Sequence, residues 1–421
     1  MTDRLGGVLE RVGGGALWSD LEAICALGGR FAGTESEMLA RDFLAGRLAE
    51  ACGTAPVAHA VGYQGWTRGE AALEIAGAGG LALPCVSLVR SPATPQGGLE
   101  AGVVDLGRGE AGDFERRAAA IPGRIVLVRH EYMFATGTVH RRRKYEWAME
   151  RGAAGFLIAS HLPGELPVTG SSGAEPGRGI PAAGVSAATA RHLVAEGGRY
   201  PQIRLRIAVD AGPARTENLI LDLPGRGPGR VVLAAHIDGH HLAQSAMDNA
   251  SGLAVALAVA GALAPCCERL ERGLRIALFS IEEWALAGSR HYVEGLEPEE
   301  RAAIDLVINL DSVAGSPRLT ALTSGFKAVE RFVLETAGAA DLAVRAHRPL
   351  MANSDHYNFA IHGIPALRLV AGFDEPSSNL KFVLTPADTL DKIRPAELEG
   401  AARLAATLAL RACEAPELAL R

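Results

Sequence analysis

Residues 230–260 read RVVLAAHIDGHHLAQSAMDNASGLAVALAVA. The opening seven residues form a near-continuous apolar run closed by His236, and the run from 251 onward is apolar in the manner of a buried helix. An apolar strand, a loop and then such a helix belong to a parallel sheet covered on both faces. The pattern recurs outward from this stretch. LRIALFS (274–280) precedes the helical ALAGSRHYVEGL (285–296), LVINLD (306–311) follows, and PALRLV (365–370) comes later. The expected fold is therefore α/β, with a mostly parallel central sheet and helices on both faces. NLILDL (218–223) and RVVLAAH (230–236) flank the turn PGRGPG, which predicts a hairpin.

Upstream, LEAICAL (21–27) and MLARDFLAGRLAE (38–50) carry helical spacing, separated by the turn-like FAGTES. Thr34 or Ser36 is placed to cap the second helix, with Glu37 in its first turn. From about 66 to 211 the texture changes to short β-like runs, GVVDLG, GRIVLVRH and AGFLIAS, divided by Gly- and Pro-rich turns. One helix stands out there, HRRRKYEWAMERG (140–152). Its RRRK run reads as a solvated face screened by Glu146 and Glu150. The division expected is a discontinuous domain, 1–65 and 212–421, with a smaller β-rich insert at 66–211.

Composition narrows the classes. The 421 residues are 48% hydrophobic and 21% charged, as in ordinary globular proteins, and 50 Gly with 22 Pro fall short of low complexity. The net charge of −6 argues against nucleic acid as a partner, because that binding needs excess Lys and Arg. No run approaches about 20 uninterrupted apolar residues, so no membrane partner is expected. The N-terminus lacks the apolar core of a signal peptide, and six scattered cysteines form no C-x-x-C pair. A reduced, cytoplasmic protein is the expectation.

The chemistry lies at the strand ends. The run at 231–236 ends in His236, followed at one remove by Asp238; LRIALFSI runs into Glu282 and Glu283; LVINL runs into Asp311; and Asp248 precedes a helix. In parallel sheets ligand sites form at the carboxyl ends of strands, where backbone support fixes coordination geometry. Histidine with carboxylates suits zinc, manganese or cobalt. Taken singly, such residues are commonly caps or solvated charges; four such features on successive units of one sheet point to a metal site.

The ordered set HID (236–238), DNASG (248–252), IEEW (281–284), NLD (309–311), SDHYNF (354–359), GIPA (363–366) and TPADT (385–389) resembles the zinc exopeptidases of the bacterial leucyl aminopeptidase and glutamate carboxypeptidase type, metallopeptidase family 28. RFAGTESEMLARDFLAGRLAE is similar to the family's N-terminal helix, and GRIVLVRH, ERGAAGFLIAS and IPAAGVS resemble its protease-associated insert. The resemblance implies two metal ions bridged by Asp248. His236 and Asp311 would complete one ion; Glu283 and a late histidine would complete the other. Glu282 would be the general base, and Asp238 would orient His236 through its second ring nitrogen. It implies hydrolysis of peptide or related amide bonds at a chain end, zinc as cofactor in one or two copies with manganese or cobalt as alternatives, and a homodimer by family habit.

The sequence departs from the family at the late histidine. Two residues before Pro386, where the family has that ligand, stands Leu384. Three histidines are candidates to fill the gap or line the pocket: His356, His240 and His241. Alternatively a single tight ion remains, or the chain is a catalytically silent binding module. Arg368, odd within an apolar strand, is a contact for a substrate carboxylate, a surface-edge residue or a structural ion pair. Trp284 either walls the pocket or packs in the core.

Overall fold

A computed structural model describes residues 2–76, 80–175, 177–194 and 200–421. The chain forms two compact units. The first comprises Met1–Tyr63, Arg215–Val383 and Asp388–Arg421, and the second Gln64–Ala214 and Leu384–Ala387. In chain order the strands are β1 (Val57–Ile75), β2 (Leu81–Leu83), β3 (Cys85–Ser87), β4 (Leu99–Asp105), β5 (Ile125–Arg129), β6 (Gly155–Ala159) and β7 (Ala182–Val185). They continue with β8 (Gln202–Leu223), β9 (Arg230–His236), β10 (Gly273–Phe279), β11 (Ile304–Leu310), β12 (Leu319–Leu322), β13 (Arg345–His347) and β14 (Ala366–Ala371).

In the first unit the strand order is β13-β12-β14-β11-β9-β10-β8. The central strands β14, β11, β9 and β10 are mutually parallel. Antiparallel pairs flank them, β12 on β14 and the Leu219–Leu223 end of β8 on β10. The expected hairpin between 218–223 and 230–236 is not formed, because β10 lies between the two strands. The six-residue turn easily crosses the ~10 Å of two strand spacings. Every residue of β10 is buried, and that burial outweighs the local pairing which the turn offers.

Successive residues of these strands face opposite sides. Val232, Ala234, Ala277, Phe279, Val307 and Ala366 pack with Tyr292, Val293 and Phe359 of helices Ala287–Gly295 and His356–Ala360. The alternate residues Val231, Leu233, Ile276 and Leu278 are equally buried. Helix Ser251–Leu263 packs on β9, β10 and β11, and helices Ala16–Ala26, Glu35–Cys52 and Pro395–Glu414 pack on it. Eleven of its thirteen residues are buried, so its strong apolarity is that of a core helix. The N-terminal residues Thr2–Val12 also form a helix, which the glycine-rich sequence did not signal. Thr34 caps Glu35–Cys52, accepting from the Glu37 amide.

In the second unit the first part of β8 pairs with β4, and β4-β5-β6-β7-β3 completes the order. Ile125, Leu127, Leu157, Ile203 and Leu205 share its core. The RRRK run is not a solvated face, as expected, but half buried. Lys144 is fully enclosed and donates to the carbonyls of Arg108 (2.7 Å) and Arg129 (2.8 Å) and to Glu131. Arg141 donates to the Ser171 carbonyl at 2.8 Å. Helical periodicity turns 141, 144, 145 and 148 inward together, and the sequence holds the matching acid at 131 rather than on the same helix.

Candidate metal centre

The parallel register sets the site. Phe279 lies level with His236, and Asn309 with Ala234, so the chains leaving β9, β10 and β11 emerge at one sheet edge. There His236, Asp248 and Asp311 offer ligand atoms that lie within 4.8 Å of one another, and so do His240, Asp248 and Glu283. Asp248 belongs to both groups. His236 Nε2 is 3.1 Å from Asp248 Oδ1 and 3.7 Å from Asp311 Oδ1. His240 Nε2 is 2.6 Å from Glu283 Oε1. All are buried, as is Glu282.

Each ligand type is held from behind. His236 Nδ1 bonds the backbone carbonyl of Asp238 at 2.8 Å. The sequence reading gave that task to the Asp238 side chain. Its carboxylate lies 3.9 Å away and instead accepts from the amides of Glu282 (2.9 Å) and Glu283 (3.1 Å). A short side chain two residues beyond a strand end reaches the next strand's loop more easily than its own neighbour's ring. Asp388, of the TPADT motif, accepts from the Met247 amide at 2.8 Å and the Asp248 amide at 3.3 Å. Asn249 donates to the Leu310 carbonyl and accepts from the Ser312 amide, tying the Asp248 loop to the strand end that carries Asp311. A side chain at Gly252 would meet the Leu310 oxygen at 2.4 Å, so this approach requires glycine.

Two supports escaped sequence reasoning. Arg30 is wholly buried and donates to the carbonyls of Gly28, Ile237, Gln244 and Ser245, gathering both ends of the loop that carries His240. Buried Glu37 accepts from Thr216 and Ser280, both at 2.6 Å, and anchors the segment leading to Glu282. Both sit in or beside the RFAGTESE stretch, where a charge next to buried positions was the available signal.

Arg368 is not free for substrate. Its guanidinium pairs with Asp311 Oδ1 at 3.1 Å and donates to the Asn353 carbonyl. On a strand buried from end to end, the charge takes the nearest acid. His356 is buried but joins neither ligand group; burial, then Arg368, push its ring down to about 3. Leu384 has no ligand atom and belongs to the second unit, where its carbonyl accepts from the Thr169 amide. Trp284 packs on Phe31 (4.7 Å between ring centres), and His241 stacks edge-on to Phe31 at 4.5 Å.

The electrostatics show an excess of one sign. Burial and the neighbouring carboxylates raise Glu282 well above the usual range, against the pull of His236, and raise Asp248 also. Burial pushes Asp238 up to about 8 and Asp388 to about 7. Burial would raise Asp311 too, but Arg368, His236 and Ser354 outweigh it and hold it below the carboxylate range. Nε2 of both His236 and His240 is buried and makes no aligned hydrogen bond, although carboxylate oxygens stand close by. Unpaired imidazole nitrogens converging with carboxylates fit a divalent cation of the zinc type better than an internal hydrogen-bond network.

Residues 218–409 match peptidase family M28, and residues 87–193 match the PA domain. The chain carries an M28 peptidase domain with a PA domain. The M28 match includes every residue of both ligand groups. A probable leucine aminopeptidase 2 of Aspergillus fumigatus is 29% identical over 324 residues, covering 73% of this chain and 61% of that protein. The chain thus spans less than two thirds of that relative's length. Among solved structures, a peptidase M28 precursor from Shewanella amazonensis superposes with a TM-score of 0.81 at 22% identity, covering 99% of this chain and 97% of that one. A zinc aminopeptidase from Bacillus subtilis gives a TM-score of 0.76 at 23% identity, covering 94% of each chain. At these identities the two structures show a shared fold over nearly the whole chain.

Proposed function

We propose that this chain is a metal-dependent exopeptidase of the aminopeptidase type, acting on peptide substrates with zinc as cofactor. The reading rests on one observation. Two histidines and three carboxylates converge in two groups sharing Asp248, with Glu282 beside them, and Nε2 of each histidine is buried with no aligned hydrogen bond. The peptidase domain is taken as residues 1–65 and 212–421, interrupted by the insert at 66–211.

In this reading His236, Asp248, Asp311 and Glu283 hold the cation or cations. Bound there, divalent zinc would polarise the scissile carbonyl and bring the pKa of the attacking water toward neutrality. Glu282 supplies the proton transfers. Its carboxylate removes the proton from the attacking water and returns it to the leaving amine. Asp238 holds the backbone of Glu282 and Glu283 together and so keeps base and ligand in register.

The test is Glu282→Gln. The variant should retain its metal and lose about 10³-fold in turnover of a leucine anilide, the scale of a general base. Full activity in Glu282→Gln would remove Glu282 from the mechanism. A silent binding module would instead hold metal and hydrolyse no unblocked peptide in the unaltered chain.

A further inference from the structure

The family's late histidine position is leucine here, yet a second imidazole stands in the cluster. We infer that His240 is a ligand of a second cation site made with Glu283 and the shared Asp248, so that both metal-binding histidines come from one stretch of five residues, 236–240, running from the end of β9 into its loop. This rests on the reading of the cluster as a metal centre.

Several observations carry it. His240 is 4% exposed, and neither ring nitrogen makes a hydrogen bond within the chain. Buried ring nitrogens with no aligned hydrogen bond lose their hydration without full compensation, unless a ligand completes them. Its Nε2 stands 2.6 Å from Glu283 Oε1, and both lie within 4.8 Å of an Asp248 oxygen. One histidine with two carboxylates is a set that zinc, manganese and cobalt accept.

The backbone that carries the ring is also fixed in place. The His240 amide donates to Ser245 Oγ at 2.8 Å, and that hydroxyl donates back to the His240 carbonyl. Arg30 clamps the carbonyls of Ile237, Gln244 and Ser245 around it. A side chain at Gly29 would meet the His240 oxygen at 2.1 Å, so this glycine is what lets the loop pass so close. The rival candidates join neither ligand group. His356 lies outside both groups, and His241 is engaged with Phe31.

The test counts metal in the full-length chain by elemental mass spectrometry, after loading with zinc and dialysis. The unaltered protein and a His241→Ala control should each hold about two ions, and His240→Ala about one. Circular dichroism would check that His240→Ala is folded. Should it fail to fold, His240→Cys is loaded with cobalt and read by its thiolate-to-cobalt charge-transfer band, which only a coordinating residue 240 can give. One ion in the unaltered chain, two ions in His240→Ala, or a cobalt-loaded His240→Cys without that band would each overturn the inference. None of these results depends on hydrolysis. Loss of turnover in Glu282→Gln alongside two ions in His240→Ala would leave the peptidase reading standing and remove only this one.

Discussion

Each unit of the molecule buries a cluster of ionisable side chains, and the two are built differently. In the PA-containing unit, Lys144 is surrounded by two carbonyls and Glu131, and Glu131 also accepts from Arg108. Donors and acceptors are matched, and the network holds β5 to the helix Arg141–Glu150. In the peptidase unit, four carboxylates crowd with two histidines whose Nε2 atoms have no aligned hydrogen bond. A matched cluster stabilises its fold; one with surplus negative charge and converging lone pairs is shaped for a cation. Burial alone does not distinguish the two. The difference is whether each polar atom already has its partner.

The largest effect should come from breaking the matched cluster. Lys144→Met leaves Glu131 and two carbonyls under-partnered, and should destabilise the chain by about 3 kcal/mol in urea titration. Its metal content should not change. A shift below about 1 kcal/mol would mean that the network is no more than a surface pair.

On the metal side, Asp238→Asn replaces one acceptor oxygen beneath Glu282 and Glu283 with a donor. Metal affinity should fall about 10–100-fold, measured by chelator competition, as for other residues that orient ligands. Unchanged affinity would show that Asp238 does not position them.

The pH dependences of the two units should run in opposite directions. In metal-free protein, burial disfavours the charged forms of Asp238, Asp388 and Asp355, the last preceding helix His356–Ala360, and pushes them up to about 8, 7 and 6. The folded chain then holds protons that the unfolded chain has already released. Stability should therefore fall as pH rises from about 4 through about 8. Zinc should flatten this fall, since it favours the ionised carboxylates. In the other unit, burial holds His130 and His140 well below the ordinary value. Their contribution is present above about 6.5 and is lost as pH falls below it. Urea midpoints across pH, with and without zinc, would separate the two slopes; a metal-free protein that gains stability from pH 6 to 8 would contradict the first.

The smallest effect concerns the thiols. All six cysteines are free, and burial pushes Cys25, Cys85 and Cys267 up to about 12. Near pH 8 these three should resist thiol reagents in the folded protein and react once urea opens it. Fast labelling of the native chain would show that their surroundings open readily.

The strand-end candidates were legible in the sequence because an apolar run fixes the place of each: His236 at the end of β9, Glu282 and Glu283 after β10, Asp311 after β11. The parallel sheet was legible for the same reason. Strand neighbours were not. The PGRGPG turn suggests a hairpin, and only the buried β10, some forty residues on, decides against it. Supports that act through distant backbone groups were also hidden. Arg30 works on carbonyls more than two hundred residues away, and nothing near it in the chain announces them. The choice among His240, His241 and His356 was undecidable in one dimension, because it depends on the loop path that Arg30 and Ser245 impose. Arg368 was legible as an anomaly, and only the fold shows that Asp311 resolves it.

The most direct measurement of the central claim is hydrolysis of a leucine anilide by one preparation in three states: zinc-loaded, stripped by chelator, and reloaded. An N-acetylated version of the same substrate serves as control. Activity that disappears on stripping, returns with zinc and spares the acetylated substrate is the predicted result. Hydrolysis that persists in fully stripped protein, or its absence from the zinc-loaded chain, would contradict the assignment of this cluster as a metal-dependent aminopeptidase centre.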